Sequence, residues 1–573
     1  MKKVLYTISS LIIIITLGFF GLTKTSHTEL KAPEYNQHFN KISAEVSTAN
    51  FENAGSRQLF TYNESPATEN LSSIVSNSTP LVISKSSLRE LVSLNSNALN
   101  LTIPKNRNEN IELELIKAEI LAPEFVVKER SGSSKTIVNV KNGVHYRGII
   151  KNDNNSVVSL SLFENMVMGI ISNDEGNFVL GIEKTTNPNS NNYVLYNDRD
   201  MLITSNFKCG LEGREEEFTI YKDNITEQIT DNPAGSTAPV KVYFECDNRM
   251  YLDNGSNMQN VANFVTGMFN SVATIYANEN LVVQISEIDA WTSIDPYASM
   301  SQSDDILVAF GQNTQNNFMG SLAHLLSTRN AGLGGIAWIN ILCVPYQSNG
   351  SYGRYAFSNI DNNYSNFPTY SWTVGVVAHE MGHNYGSYHT HACHWPTTPF
   401  TTTGAIDSCY NAEGFCFSNL RPTRGTIMSY CHLWSTAQGG GIDFNKGFGP
   451  LPGDTIRRWY NSAPCLTTVL NSSEAPSTFA LTQNTPNPFN PTTNFKFSLP
   501  VNSVVTLKIY DMVGREIVSL INNQTFGPGT YGYQFNSAGF NLSSGVYFYR
   551  LIAQKSDDNS VVFSDIKKMV LLK

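Results

Sequence analysis

Apolar and polar residues alternate with the period of a half-buried strand in three separate parts of this chain, and a helical period enters in the middle one. In the first part the alternation runs through Thr136–Val140, Tyr146–Ile150, Ser156–Leu162, Met166–Ile171 and Phe178–Ile182, with Asn and Gly at the turns. That pattern predicts a small β domain. Ahead of it, from His27 to about Asn110, Ser, Asn and Thr surround scattered apolar pairs and no element is assigned; order improves from Ile111. The middle part opens after the polar linker Thr230–Thr237 with a strand pattern at Val240–Phe244, a helical one at Asn257–Asn278, a strand pattern at Leu281–Ser286 and an apolar run at Asp305–Phe310. Strand, helix, strand in that order fits a β-α-β crossover, so this part is expected to be an α/β domain. It closes near Cys465, and linker composition returns at Asn471–Pro476. From about Phe479, Val504, Thr506, Lys508 and Tyr510 take alternate positions and Gly545–Tyr549 forms another strand pattern, which predicts a small β-sandwich.

The chain begins Met1-Lys2-Lys3 and runs into the apolar stretch Leu11–Phe20, a charged n-region followed by an h-region. This reads as a secretory signal processed between Leu22 and Ser26. The stretch is short for a bilayer span of ~20 residues and no stop-transfer charges follow, so no stable membrane span is expected after its removal. A length of 573 residues calls for several cores, and a charged fraction of 15% with abundant Asn, Ser and Thr favours β-rich, loop-rich domains. A net charge of -9 and a pI near 5.6 offer no basic stripe for a phosphate backbone, so nucleic acid is not expected as a partner. Eight cysteines in an exported chain are expected to form disulfides.

The chemistry concentrates in Val376–His389, where an apolar run feeds a helix. His379 and His383 are four residues apart and share one helical face, which brings two imidazoles to one ion. Gly386 can take a positive φ, end the helix and turn His389 in as a third ligand. Three imidazoles leave one position open, as a catalytic zinc site requires and a closed four-ligand structural site does not. Zinc would lower the pKa of a water there from ~15.7 to roughly 7, and Glu380, rotated away from ligation, could take its proton as it attacks a peptide carbonyl. His391, His394 and His432 match no ligand spacing and read as surface or supporting groups.

His379, Glu380, His383, Gly386 and His389 together resemble the extended zinc signature of metzincin proteases, and residues 238–467 are similar to reprolysins and adamalysins. The resemblance implies a twisted sheet with a zinc-binding helix. It also implies a methionine turn at Met428, an edge strand at Gly335, Ile336 and Ala337 that pairs with extended substrate, and a metal or transition-state contact for Tyr430. Thr390 stands where that family has aspartate and Tyr430 is not the reprolysin choice, which leaves the cleavage preference open. Residues 145–197 resemble a reprolysin-type propeptide. Asn484–Thr493, Leu507–Glu516, Ser544–Arg550 and Lys567–Lys573 resemble a type IX secretion C-terminal sorting domain, which implies an Ig-like sandwich and bacterial type IX machinery as a partner. By the reprolysin resemblance Cys343 pairs with Cys465, and Cys393, Cys409, Cys416 and Cys431 form two local bridges. Cys209, in Phe207-Lys208-Cys209-Gly210, is similar to a cysteine switch that fills the open zinc position; a Cys209–Cys246 disulfide is the rival reading.

The chain is therefore expected to be multidomain: signal 1–26, β-rich propeptide 27–236, α/β metzincin domain 237–467, linker 468–480 and sorting sandwich 481–573. The expected function is a latent zinc endopeptidase with one catalytic Zn2+, acting on proteins or peptides and exported through the periplasm to the cell surface or medium. Calcium is left open. The alternative is a surface binding or adhesive protein whose metal site is structural or inactive.

Overall fold

A computed structural model describes residues 41–572 except 52–55, 65–71, 184–190, 204–206, 221–237, 330–331, 349, 361–369, 397–402, 417, 420, 464, 467, 471–475, 491, 538–541 and 556–559. The expected signal, 1–26, lies outside the described residues. The middle of the chain builds a seven-stranded sheet in the order Gly335–Ala337, Tyr355–Asn359, Leu322–Ser327, Val240–Cys246, Val283–Trp291, Leu121–Ser131 and Ser134–Ile137. The five central strands run parallel and the short strand at each edge is antiparallel to its neighbour. Central strands of a parallel sheet are covered on both faces, which is why Val240–Cys246 and Leu322–Ser327 are apolar with little alternation.

Between Val240–Cys246 and Val283–Trp291 the chain crosses over as the helix Met258–Asn278, started by Asn257, whose side chain accepts the Asn260 N–H. That helix buries residues on every side, including Val261, Phe264, Val265, Met268, Val272 and Ile275, so it lies between two layers rather than on a surface. The second layer is a ten-stranded sheet built from residues 56–197. Much of it comes from the stretch to which the sequence assigns no element: strands Thr79–Ile83 and Ala98–Pro104, and the helix Lys85–Leu94, capped by Ser84 and closed by Asn95 at φ 46. The run Asp305–Phe310 lies inside the helix Ser303–Thr314, where Ile306, Leu307 and Phe310 pack inward at helical spacing. Short apolar runs read equally as strand or helix until a partner is known.

The last part forms two four-stranded sheets around one core that includes Phe495, Phe497, Leu507, Tyr549, Leu551 and Met569. Its strand Thr468–Leu470, in the stretch expected to be linker, pairs with Gly529–Asn536. Three disulfides join Cys343 to Cys465, Cys393 to Cys416 and Cys409 to Cys431. Cys209 and Cys246 are both free and buried, so the rival bridge between them is not formed.

Candidate metal centre

The helix Tyr370–Asn384 carries His379, Glu380 and His383. It ends in a Schellman turn: Gly386 sits at φ +86, its N–H reaches the His383 carbonyl at 2.8 Å, and the Ser387 N–H reaches the Gly382 carbonyl at 3.1 Å. Glycine is also required there by space, because a Cβ would lie 2.4 Å from the Trp459 ring nitrogen. The turn sends the chain back to deliver His389, and donor atoms of Cys209, His379, His383 and His389 lie within 4.8 Å of one another. Met428 packs under the helix against Gly382, where a Cβ would come within 2.7 Å of its Sδ. Thr390 sends both its N–H (3.1 Å) and its hydroxyl (3.3 Å) to the Met428 carbonyl, fixing the methionine turn to the chain beyond His389.

The imidazoles are oriented from behind. Nδ1–H of His379 donates to the Ile427 carbonyl at 2.8 Å and Nδ1–H of His383 to the Ser387 carbonyl at 2.7 Å. Each Nε2 therefore presents a bare lone pair, yet the two lie 3.2 Å apart. Buried Nε2 of His389 has no hydrogen-bond partner. Lone pairs brought this close repel unless a cation lies between them, so the donor set fits a divalent ion such as zinc. Burial, and then the charge of neighbouring imidazoles, His383 and His389 for His379 and His389 for His383, hold both well below the usual histidine range. His389 behaves oppositely: burial opposes its charge, but the Cys209 sulfur beside it and the Glu215 and Glu413 carboxylates at its Nδ1 raise it well above that range.

Glu380 is buried, and burial pushes its carboxyl up to about 8. Its Oε2 accepts from the Cys209 thiol at 3.6 Å, and a Cβ on Gly335 would lie 2.2 Å from its Oε1. The glycine in the edge strand is thus what lets this carboxylate reach the strand. Along the same strand lies the segment around Cys209: the Gly210 N–H donates to the Gly335 carbonyl at 2.7 Å, and the Lys208 carbonyl fills the space a Cβ of Gly334 would need. Cys209 Sγ is 3.6 Å from His383 Nε2, and its N–H donates to the Tyr430 hydroxyl at 2.8 Å. Burial pushes the thiol well above its ordinary pKa, so it would ionise only against a cation.

Two carboxylates that the sequence reading does not name complete the site. Glu215 and Glu413 each lie 3.1 Å from His389 Nδ1, and Glu215 also accepts the His389 N–H. Among the other histidines, His391 is buried and stacked on His389 at 4.9 Å, His432 donates to the Phe207 carbonyl at 2.9 Å, and His394 stacks on Tyr388.

Residues 236–434 match the reprolysin-type model of metallo-peptidase family M12, and residues 485–563 match a secretion system C-terminal sorting domain. Human disintegrin and metalloproteinase domain-containing protein 9 is 23% identical over 295 residues, which is 49% of this chain and 34% of that protein. The chain thus spans about a third of that relative's length. Metalloproteinase-II from Bacteroides fragilis aligns at a TM-score of 0.30 and 12% identity over 51% of this chain and 82% of its own. Wild-type OgpA from Akkermansia muciniphila aligns at 0.19 and 10%, over 60% of this chain and 95% of its own. Among the described residues no helix is long and apolar enough to cross a membrane. Residues 236–434 are a reprolysin-type metallopeptidase domain of family M12, in a chain whose C-terminal sorting domain marks it for export to the cell surface or beyond.

Proposed function

We propose that this chain is a secreted zinc endopeptidase made as a latent precursor. The observation that carries the reading is the convergence of three imidazole Nε2 atoms beside the buried, half-unpartnered carboxylate of Glu380. Zinc, when bound, would act as a Lewis acid on the substrate carbonyl and make water a nucleophile near neutral pH. His379, His383 and His389 would hold it, with Met428 packed beneath. Glu380 would take the proton of the attacking water and pass it to the leaving amine, a role favoured by the enclosure that makes its carboxylate more basic. An extended peptide would pair with Gly335, Ile336 and Ala337 through backbone hydrogen bonds. The Tyr430 hydroxyl, bonded to Cys209 N–H in the precursor, would be left facing the substrate.

Latency would come from residues 207–210, which take the lane along the edge strand while Cys209 fills the fourth position. The wider organisation proposed is signal 1–26, propeptide 27–236, protease 237–467, linker 468–480 and an Ig-like sorting sandwich 481–573 handled by type IX machinery. The test compares wild type with Glu380→Ala on a denatured protein, with and without chelator, after the segment around Cys209 has been removed. Cleavage is expected only from metal-loaded wild type, and equal cleavage by the variant would overturn the mechanism. Uncut Cys209→Ser precursor is expected to cleave more than uncut wild type but less than the cut enzyme, because Lys208 and Gly210 still lie on the edge strand; a variant no more active than uncut wild type would count against the switch.

A further inference from the structure

The N-terminal region does not sit on the protease domain as a cover; it shares its interior. Ala118, Ile120, Val127, Phe163, Met168, Ile170 and the central helix residues Val261, Phe264, Val265 and Met268 belong to one continuous apolar core. At Gly267 the helix and the ten-stranded sheet approach so closely that a Cβ would lie 2.5 Å from Met168 Sδ. Asn270, buried in the same helix, donates to the Tyr146 and Leu160 carbonyls at 3.1 and 3.2 Å, and Ser271 bonds Ser159 at 2.7 Å.

A second joint lies at the sheet edge far from the metal centre. Strand Leu121–Ser131 pairs in parallel with Val283–Trp291, with Val126 opposite Glu287 and Arg130 opposite Trp291. The hairpin it starts brings Lys128 to Glu287, Arg130 to Glu245 and Lys135 to Asp289, the last at 2.6 Å. All three carboxylates belong to strands of the protease domain and are buried. Taking the hairpin away would leave three buried anions without their cations and an open strand edge. A third joint braces the chain on both sides of the methionine turn: before it Arg424 pairs with Asp198 at 2.7 Å, and after it the Ile442 carbonyl accepts from Asn177 at 2.6 Å and the Asn445 N–H donates to Ser172 at 2.8 Å.

From these joints we propose that residues 41–201 are a permanent, non-covalently held subunit of the mature protease, and that activation removes only the latch around Cys209. The inference rests on the latent-peptidase reading for its word "activation", and on packing alone for the association. To test it, recognition sequences for a site-specific protease replace residues 204–206 and 229–236 in the full chain. After both cuts, the N-terminal and protease fragments are expected to co-elute on size exclusion at their summed mass and to part only in denaturant. An N-terminal fragment eluting alone, whether or not the protease fragment stays soluble, overturns the proposal. The triple variant Lys128→Ala, Arg130→Ala, Lys135→Ala is expected to release the fragment at a lower urea concentration, and release at the same concentration would remove the ion pairs from the account. Co-elution without peptide cleavage would leave the association standing and count against the peptidase reading instead.

Discussion

At His389 one ring N–H faces two carboxylates, and the activation proposed above would leave only one of them in place. Glu215 belongs to the latch, whose Gly213 N–H also occupies Glu413 Oε1 at 3.0 Å; Glu413 lies between Cys409 and Cys416 in the protease domain. Once the latch is gone, Glu413 is left to orient the third ligand. Glu413→Gln is therefore expected to weaken zinc retention by about 10- to 100-fold, read as the chelator concentration that strips the cut enzyme. Glu215→Gln should leave that concentration unchanged and affect only the precursor; equal effects in the cut enzyme would remove the distinction. Gly335→Ala tests the other side, since its methyl would displace Glu380 without touching a histidine. Turnover is expected to fall about 100-fold at unchanged zinc content, because a catalytic group moved by about an ångström loses that order of rate. The helix-borne part of this site was legible because spacing on one helix is local information. Glu413 and Glu215 were not: Glu413 comes to His389 on a loop whose path depends on the Cys393–Cys416 and Cys409–Cys431 bridges, and Glu215 comes on the short helix Glu215–Phe218 through docking of the latch.

Among the elements, those with their own period were readable and those defined by a distant partner were not. Asn257 was readable as the start of the central helix because an Asx cap is written in its own residue and the three that follow. The hairpin Leu121–Ile137 gave no sign that it would extend the protease sheet, since its register is set by Val283–Trp291, more than 150 residues away. Such strands carry buried groups whose titration reports on the fold. His145 in the N-terminal sheet and His324 in the protease sheet are both pushed down to about 3 by burial. Each stays neutral in the fold while the unfolded chain takes up a proton near 6.5, so their contribution is complete above pH 6.5 and is lost as the pH falls from there toward 3. By pH 5 each accounts for about 2 kcal/mol of lost stability. His145→Gln or His324→Gln should shrink the loss between pH 7.5 and pH 5 by about that amount in urea titrations, whatever it does to stability at pH 7.5. An unchanged loss would mean that the histidine gains its proton inside the fold.

Over the whole molecule, three kinds of interior were expected from the alternation patterns, but the boundaries between them are of different physical kinds. The N-terminal and middle parts merge, with one apolar core running through both. Composition marks a polar stretch at Thr230–Thr237, which lies outside the described residues, yet the apolar packing of the parts on either side of it is continuous. The C-terminal part is different: among the described residues its core draws on Phe479 to Leu571, and its first strand, Thr468–Leu470, pairs within its own sheets. Cys465 is the last residue that covalently serves the protease, through its bridge to Cys343. A chain ending at residue 467 therefore keeps every partner of the merged core and of the metal centre, and loses the sorting domain whole. Its thermal midpoint, followed by tryptophan fluorescence, is expected to lie within about 2 °C of the full chain's lower transition, since a change of 1 kcal/mol moves a merged unit of roughly 400 residues by only about 1 °C. The same truncation should abolish export while leaving peptide cleavage by the cut, purified enzyme intact. A large drop in the midpoint would mean that the C-terminal sheets brace the protease, and normal export would mean that the sorting information lies elsewhere in the chain.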